Sequence, residues 1–170
     1  YLFSMVAGKF ESVTENPGVF DMTLLYRETD SAKIDYSIPT IFDLHQRSID
    51  FLMNYTQYKF PFQKLDYAAI PGFQYGGMEH VGAIQYRQSS IFLDESATES
   101  RRMGSAKLIA HETSHMWFGD MVTMDWFNDV WMKEVFANFM ADKIINPTFP
   151  DINHRLQFMN SHYRGAYGED

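Results

Sequence analysis

The segment "LIAHETSHMWFGD" (108–120) carries two histidines four positions apart, His111 and His115, with Glu112 directly after the first. Successive residues of an α-helix turn about 100°, so positions four apart differ by only about 40° around the axis. The two imidazoles would project from one face, one turn apart, and can reach a single ion. Glu112 is turned about 100° from His111, close to such an ion but badly aimed to ligate it. That suits a carboxylate that takes a proton from an attacking water. A catalytic zinc takes three protein ligands and keeps a fourth position open. Glu134, in "WMKEVFANF", is separated from His115 by eighteen residues, enough for a loop and a return on a neighbouring helix. His111, His115 and Glu134 make a two-histidine, one-carboxylate set for Zn2+, with Glu112 as general base. Zinc brings the pKa of a bound water to roughly 7. The competing reading is an ordinary helix whose polar residues are satisfied at its surface.

These residues need helices to present them and a core to hold the helices still. Residues 1–27 read as strands: "FESVT" and "VFDMTLLYR" flank the turn signal "ENPG", which carries Pro17 and Gly18. In the second run Phe20, Met22, Leu24 and Tyr26 alternate with Asp21, Thr23 and Leu25, the period of a half-buried strand. A helix is expected within "PTIFDLHQRSIDFLMNYTQYKFP". Thr40 and Asp43 act as its N-cap pair, Ile41, Leu44, Ile49, Leu52 and Tyr55 face inward, and Pro61 closes it. "KLDYAAIPGF" and "VGAIQYRQSSIFL" are β-prone runs on either side of "QYGGMEH", where Gly76 and Gly77 permit close backbone approach. Helical patterning returns from Thr98 to about Trp117 with Met103, Leu108, Ile109 and Met116 as apolar positions. It resumes from about Lys133 to Lys143, with Phe136, Phe139 and Met140 inward and Pro147 just beyond. Trp117, Phe118, Trp126, Phe127 and Trp131 are expected in the core. His45, His154 and His162 lack metal-ligand spacing and are expected at the surface. Strands, helix, strands and two helices in that order give an α+β class.

At 170 residues the chain has the length of one domain, and 45% hydrophobic residues suffice for a core. A net charge of −8 without basic clusters argues against a nucleic-acid partner. No run approaches the roughly 18 apolar residues of a membrane span. Without cysteine there is neither a disulfide nor a thiolate metal site, so any metal falls to His, Asp or Glu. The opening "YLFSMVAGKF" has no initiator Met and no signal-peptide pattern, which points to an excised piece of something longer.

"GGMEH" (76–80), "HETSHMWFGD" (111–120) and "VWMKEVFANF" (130–139) stand in the order and spacing of the M1 family of zinc aminopeptidases, and the chain resembles that family along its whole length. The opening "YLFSMVAGKFES" is similar to the junction where the family's N-terminal β domain meets its catalytic domain. The resemblance implies that residues 1–170 are the N-terminal half of a thermolysin-like (gluzincin) catalytic domain: a small mixed sheet followed by zinc-bearing helices. It implies hydrolysis of the N-terminal residue from peptides, one Zn2+ on His111, His115 and Glu134, and Glu112 as base. Gly76, Gly77, Met78 and Glu79 would bind substrate, Glu79 taking the free α-amino group. A buried carboxylate pairs with an ammonium and rejects a neutral amide; without the flanking motifs, Glu79 reads as a surface turn residue. Three positions depart from the family pattern: His80 replaces Asn, and Lys133 and Val135 replace the Asn and Gly around the third ligand. Family members use a downstream tyrosine for the oxyanion, and by family spacing it falls beyond Asp170. Tyr163 and Tyr167 stand too close to Glu134 for that role. Losing such a donor costs roughly 10²–10³ in rate, so the isolated chain is expected to have low or no activity. Two alternatives stay open: an epoxide hydrolase like the leukotriene A4 hydrolase branch, and a non-catalytic zinc-stabilised domain.

Overall fold

Of the alternating apolar residues from 20 to 26, Met22, Leu24 and Tyr26 lie on a strand, and Met22 and Leu24 have no exposure. The computed structural model describes residues 4–16, 18 and 20–160; Pro17, His162, Tyr163 and Tyr167 lie outside them. Five strands form one mixed sheet in the order β1-β2-β3-β5-β4. They are β1 (Glu11–Glu15), β2 (Met22–Tyr26), β3 (Asp66–Ile70), β4 (Gly77–Met78) and β5 (Ala83–Arg87). The outer pairs β1–β2 and β4–β5 are antiparallel, while β2–β3 and β3–β5 are parallel. The central strands β3 and β5 are buried on both faces through their middle residues, Gln85 among them. The helices are α1 (Ser31–Thr56), α2 (Gln88–Ile91), α3 (Glu99–His115), α4 (Val130–Ile145) and α5 (His154–Phe158). The class is α+β, as expected.

α1 begins nine residues before the expected Thr40 cap. Asp30 is the true N-cap, its carboxylate accepting from Ala32 N at 3.0 Å and Lys33 N at 3.3 Å. Pro39 lies inside the helix on an exposed position, where water can take the carbonyl its ring leaves without a donor. The helix ends at Thr56, before Pro61, on Gln57 in the left-handed region (φ 56°). Ile41, Leu44, Ile49 and Leu52 are buried as expected, whereas Tyr55 is 49% exposed.

His45 is a core residue, correcting its expected surface position. It stacks on Tyr67 of β3 with ring centroids 3.9 Å apart. Its Nδ1 faces the Ile41 carbonyl at 2.7 Å and so donates, which leaves Nε2 to accept from the Tyr86 hydroxyl at 3.0 Å. The Thr113 hydroxyl of α3 lies beside Tyr86 and donates to the Ile109 carbonyl at 2.8 Å, so this buried cluster sits between α1 and the helix that carries the histidine pair. Burial drives the His45 pKa down from 6.5 to about 4 against the pull of the Ile41 carbonyl. A depressed folded-state pKa means that its contribution is complete above about 6.5 and is lost as pH falls towards about 4. The expected loss is about 3 kcal/mol. Urea midpoints at pH 7 and pH 5 should diverge less in His45→Gln than in the unsubstituted chain.

The aromatic expectation divides. Trp117 is 1% exposed and Phe118 packs against the core, while Trp126, Phe127 and Trp131 are 67%, 71% and 58% exposed. On α4, Met140 is buried as expected but Phe136 and Phe139 are not. The helix turns Ala137, Met140, Ala141, Ile144 and Ile145 to the core instead. α3 packs along α4 and α1, and a 2.6 Å ion pair between Lys107 and Asp142 joins α3 to α4. Among the described residues no helix is long and apolar enough to cross a membrane.

Candidate active site

α3 starts where the Thr98 hydroxyl caps Arg101 N and ends at His115, so His111, Glu112 and His115 share its C-terminal end. His111 Nε2 and His115 Nε2 stand 3.1 Å apart. Glu134 Oε2, reaching across from α4, lies 3.3 Å from the first and 3.6 Å from the second. Donors about 2.0–2.1 Å from a tetrahedral zinc are separated by roughly 3.3–3.4 Å. The triangle of 3.1, 3.3 and 3.6 Å therefore has the size of one face of that coordination shell. The protonation pattern fits as well. His115 Nδ1 donates to the Phe118 carbonyl at 3.0 Å, which leaves Nε2 with its lone pair turned into the triangle. His111, His115 and Glu134 could thus hold zinc, and they belong to the residue types that ligate it.

Glu112 is on the inner side of this group and 4% exposed. Its Oε2 has no hydrogen-bond partner among the described residues. Burial pushes its carboxyl up to about 8; His115 opposes this, and the charges of Glu79 and Glu134 add to it. Glu134 is held well below the usual carboxylate range by hydrogen bonds from His111 and His115. Burial pulls His115 down, but Glu134, Glu79 and the Phe118 carbonyl outweigh it and leave it raised. Such opposed shifts among neighbouring titratable groups mark a site able to move protons.

Glu79 follows the edge strand β4, and it is 4% exposed rather than on a surface turn. Its Oε1 is 3.9 Å from His115 Nδ1, and Glu79, Glu112 and His115 form a second close group of donors. Gly77 is bare for a visible reason: a Cβ there would lie 2.6 Å from Glu112 Cγ and overlap its carboxylate. Gly76, Gly77, Met78 and Glu79 line the same cleft of about 560 Å³ as His111, Glu112, His115 and Glu134. Every site residue singled out in the sequence is therefore gathered there.

Two participants were not legible beforehand. The Lys133 ammonium pairs with Glu79 and stands 3.3 Å from Glu134 Oε1. Asp120 has both carboxylate oxygens buried without a hydrogen-bond partner among the described residues. Burial, reinforced by Glu79 and opposed by His115 and Lys133, pushes it up to about 7. Its place directly after Gly119 in "HMWFGD" was the available signal.

A family described as the peptidase family M1 domain matches residues 40–170. The chain belongs to peptidase family M1. Its family M1 relatives include "Probable aminopeptidase 2" of Sulfurisphaera tokodaii, 34% identical over all of this chain and 21% of its own length. "Endoplasmic reticulum aminopeptidase 2" of Bos taurus is 34% identical over 95% of this chain and 17% of its own length. "Endoplasmic reticulum aminopeptidase 1" of Homo sapiens is 35% identical over 89% of the chain and 16% of its own length. The chain thus spans about a fifth of the length of these relatives.

Proposed function

We propose that this chain is the metal-bearing part of the catalytic domain of a zinc-dependent aminopeptidase, which removes the N-terminal residue from peptides. The observation that carries the reading is the triangle of His111, His115 and Glu134 donors with the Glu112 carboxylate buried against it. A zinc ion held by those three residues supplies Lewis acidity and acidifies water. Glu112, buried beside that triangle, takes the proton of the attacking water and returns it to the departing amine. Glu79 receives the substrate ammonium, since a buried carboxylate favours a charged N-terminus over an internal amide. Gly76, Gly77 and Met78 lie at the edge of the sheet, where main-chain groups are available to an extended peptide. The names of the relatives support the substrate class.

The test is hydrolysis by the full-length polypeptide. An aminoacyl anilide should be cleaved and an allylic epoxide left intact; turnover of the epoxide alone would overturn the peptidase reading. Gly77→Ala provides a geometric check on the base. The added methyl displaces Glu112, and misplacement by about 1 Å costs on the order of 10² in turnover. The far-UV spectrum and zinc content should not change.

A further inference from the structure

Lys133 stands next in sequence to Glu134 and 3.3 Å from its Oε1, but makes its tighter pairing with Glu79. Its Nζ pairs with Glu79 Oε1, and the two side chains are 11% and 5% exposed, so the contact is closed to solvent. The lysine stem is held from behind. Gly119 (φ +135°) offers no Cβ, and one added there would come within 3.3 Å of Lys133 Cδ and 3.1 Å of His115 Nδ1. The stem can lie across that glycine because the position is empty, and it is thereby aimed at Glu79.

We infer that Lys133 is an internal counter-cation of Glu79 that competes with the incoming substrate ammonium and sets how strongly the site favours a free N-terminus. The inference rests on the reading of Glu79 as the amine anchor. A substrate ammonium arriving at Glu79 meets a carboxylate already neutralised at Oε1, with a like charge beside it. It must share the carboxylate or displace the lysine. Either way it gains less than it would from an unpaired buried carboxylate, because a charge-assisted bond is offset by the one it weakens. Chains carrying a neutral side chain at position 133 would bind the ammonium more tightly. Lys133 is therefore a specificity residue, acting through Glu79 rather than on the scissile bond.

The experiment is calorimetric binding to the full-length, zinc-loaded polypeptide near pH 6.5, below the α-amino pKa of about 7.7–8.0. The probes are leucinamide and its amine-free analogue 4-methylpentanamide, and the proteins are the unsubstituted chain, Lys133→Gln and Lys133→Arg. Lys133→Gln should bind leucinamide about tenfold more tightly with the amine-free amide unaffected, while Lys133→Arg keeps the weak binding. Unchanged or weaker leucinamide binding in Lys133→Gln, or an equal change for both probes, overturns the inference. Zinc content measured on all three proteins separates loss of the site from loss of the competitor. Because binding is read directly, the result stands whether or not anilides are hydrolysed, and hydrolysis by the unsubstituted enzyme separately tests the peptidase reading.

Discussion

Replacing Glu112 with Gln is expected to lower turnover of an aminoacyl anilide by two to four orders of magnitude, the span of a positioned general base, with zinc content unchanged. Gln has nearly the shape of Glu, so the space over Gly77 stays filled and the His111–His115–Glu134 triangle is not disturbed. What is lost is the capacity to accept a proton. The same change should stabilise the metal-free protein at neutral pH. The Glu112 pKa is raised from 4.5 to about 8, so the contribution of this group is complete below about 4.5 and disappears as pH rises to about 8. At pH 7 an amide avoids that cost, worth up to about 3 kcal/mol. Lower turnover with a higher melting temperature identifies a group kept for chemistry at the expense of stability. Unchanged turnover would leave only a structural metal site. Lower turnover with lost zinc would instead mean that Glu112 belongs to the ligand set.

His45 and Glu112 bend the stability curve in opposite directions between pH 4 and 8, one losing its contribution on acidification and the other on alkalinisation. Only the first could not be foreseen. The histidine pair was legible because helical spacing alone puts residues 111 and 115 on one face. Glu134 was legible because catalytic zinc needs a third ligand and the chain offers a carboxylate on the next helix. His45 carries no such signal: its burial comes from Tyr67 and Tyr86, distant in sequence and brought beneath α1 by β3 and β5. α4 misled for another reason. Apolar side chains occur on two of its faces, and periodicity cannot choose between Phe136 with Phe139 and Ala137 with Met140 and Ala141. Trp126, Phe127 and Trp131 were read inward from hydrophobicity, which orders residues by tendency and does not supply the partners that burial requires. For α1, Pro39 followed by Thr40 imitates a helix start, and only Asp30 accepting from two backbone amides reveals the earlier one. Lys133 stood out in the sequence only as a departure from the family pattern beside Glu134. Its reach to Glu79 depends on a pairing 54 positions apart in the chain.

His111→Ala and His115→Ala are both expected to abolish stoichiometric zinc in elemental analysis, since either removes one corner of a three-donor face. Their effects on the metal-free protein should differ. His111 has a side chain 16% exposed at the cleft, and its carboxylate partner, Glu134, is 46% exposed, so solvent can replace both its bulk and that contact. His115 is 1% exposed. It donates to the Phe118 carbonyl, and its imidazole faces the carboxylates of Glu79 and Glu134, with Glu112 close by. Replacing it with Ala opens a cavity, leaves a carbonyl without its donor and takes away a group on which those carboxylates lean. The combined cost should be about 2–4 kcal/mol, read as a lower denaturant midpoint in chelator-treated protein; His111→Ala should stay within about 1 kcal/mol of the unsubstituted chain. Full zinc retention in His115→Ala would refute the ligand assignment. Equal destabilisation by the two substitutions would show that His111 carries as much of the metal-free packing as the buried histidine, against the asymmetry in their exposure.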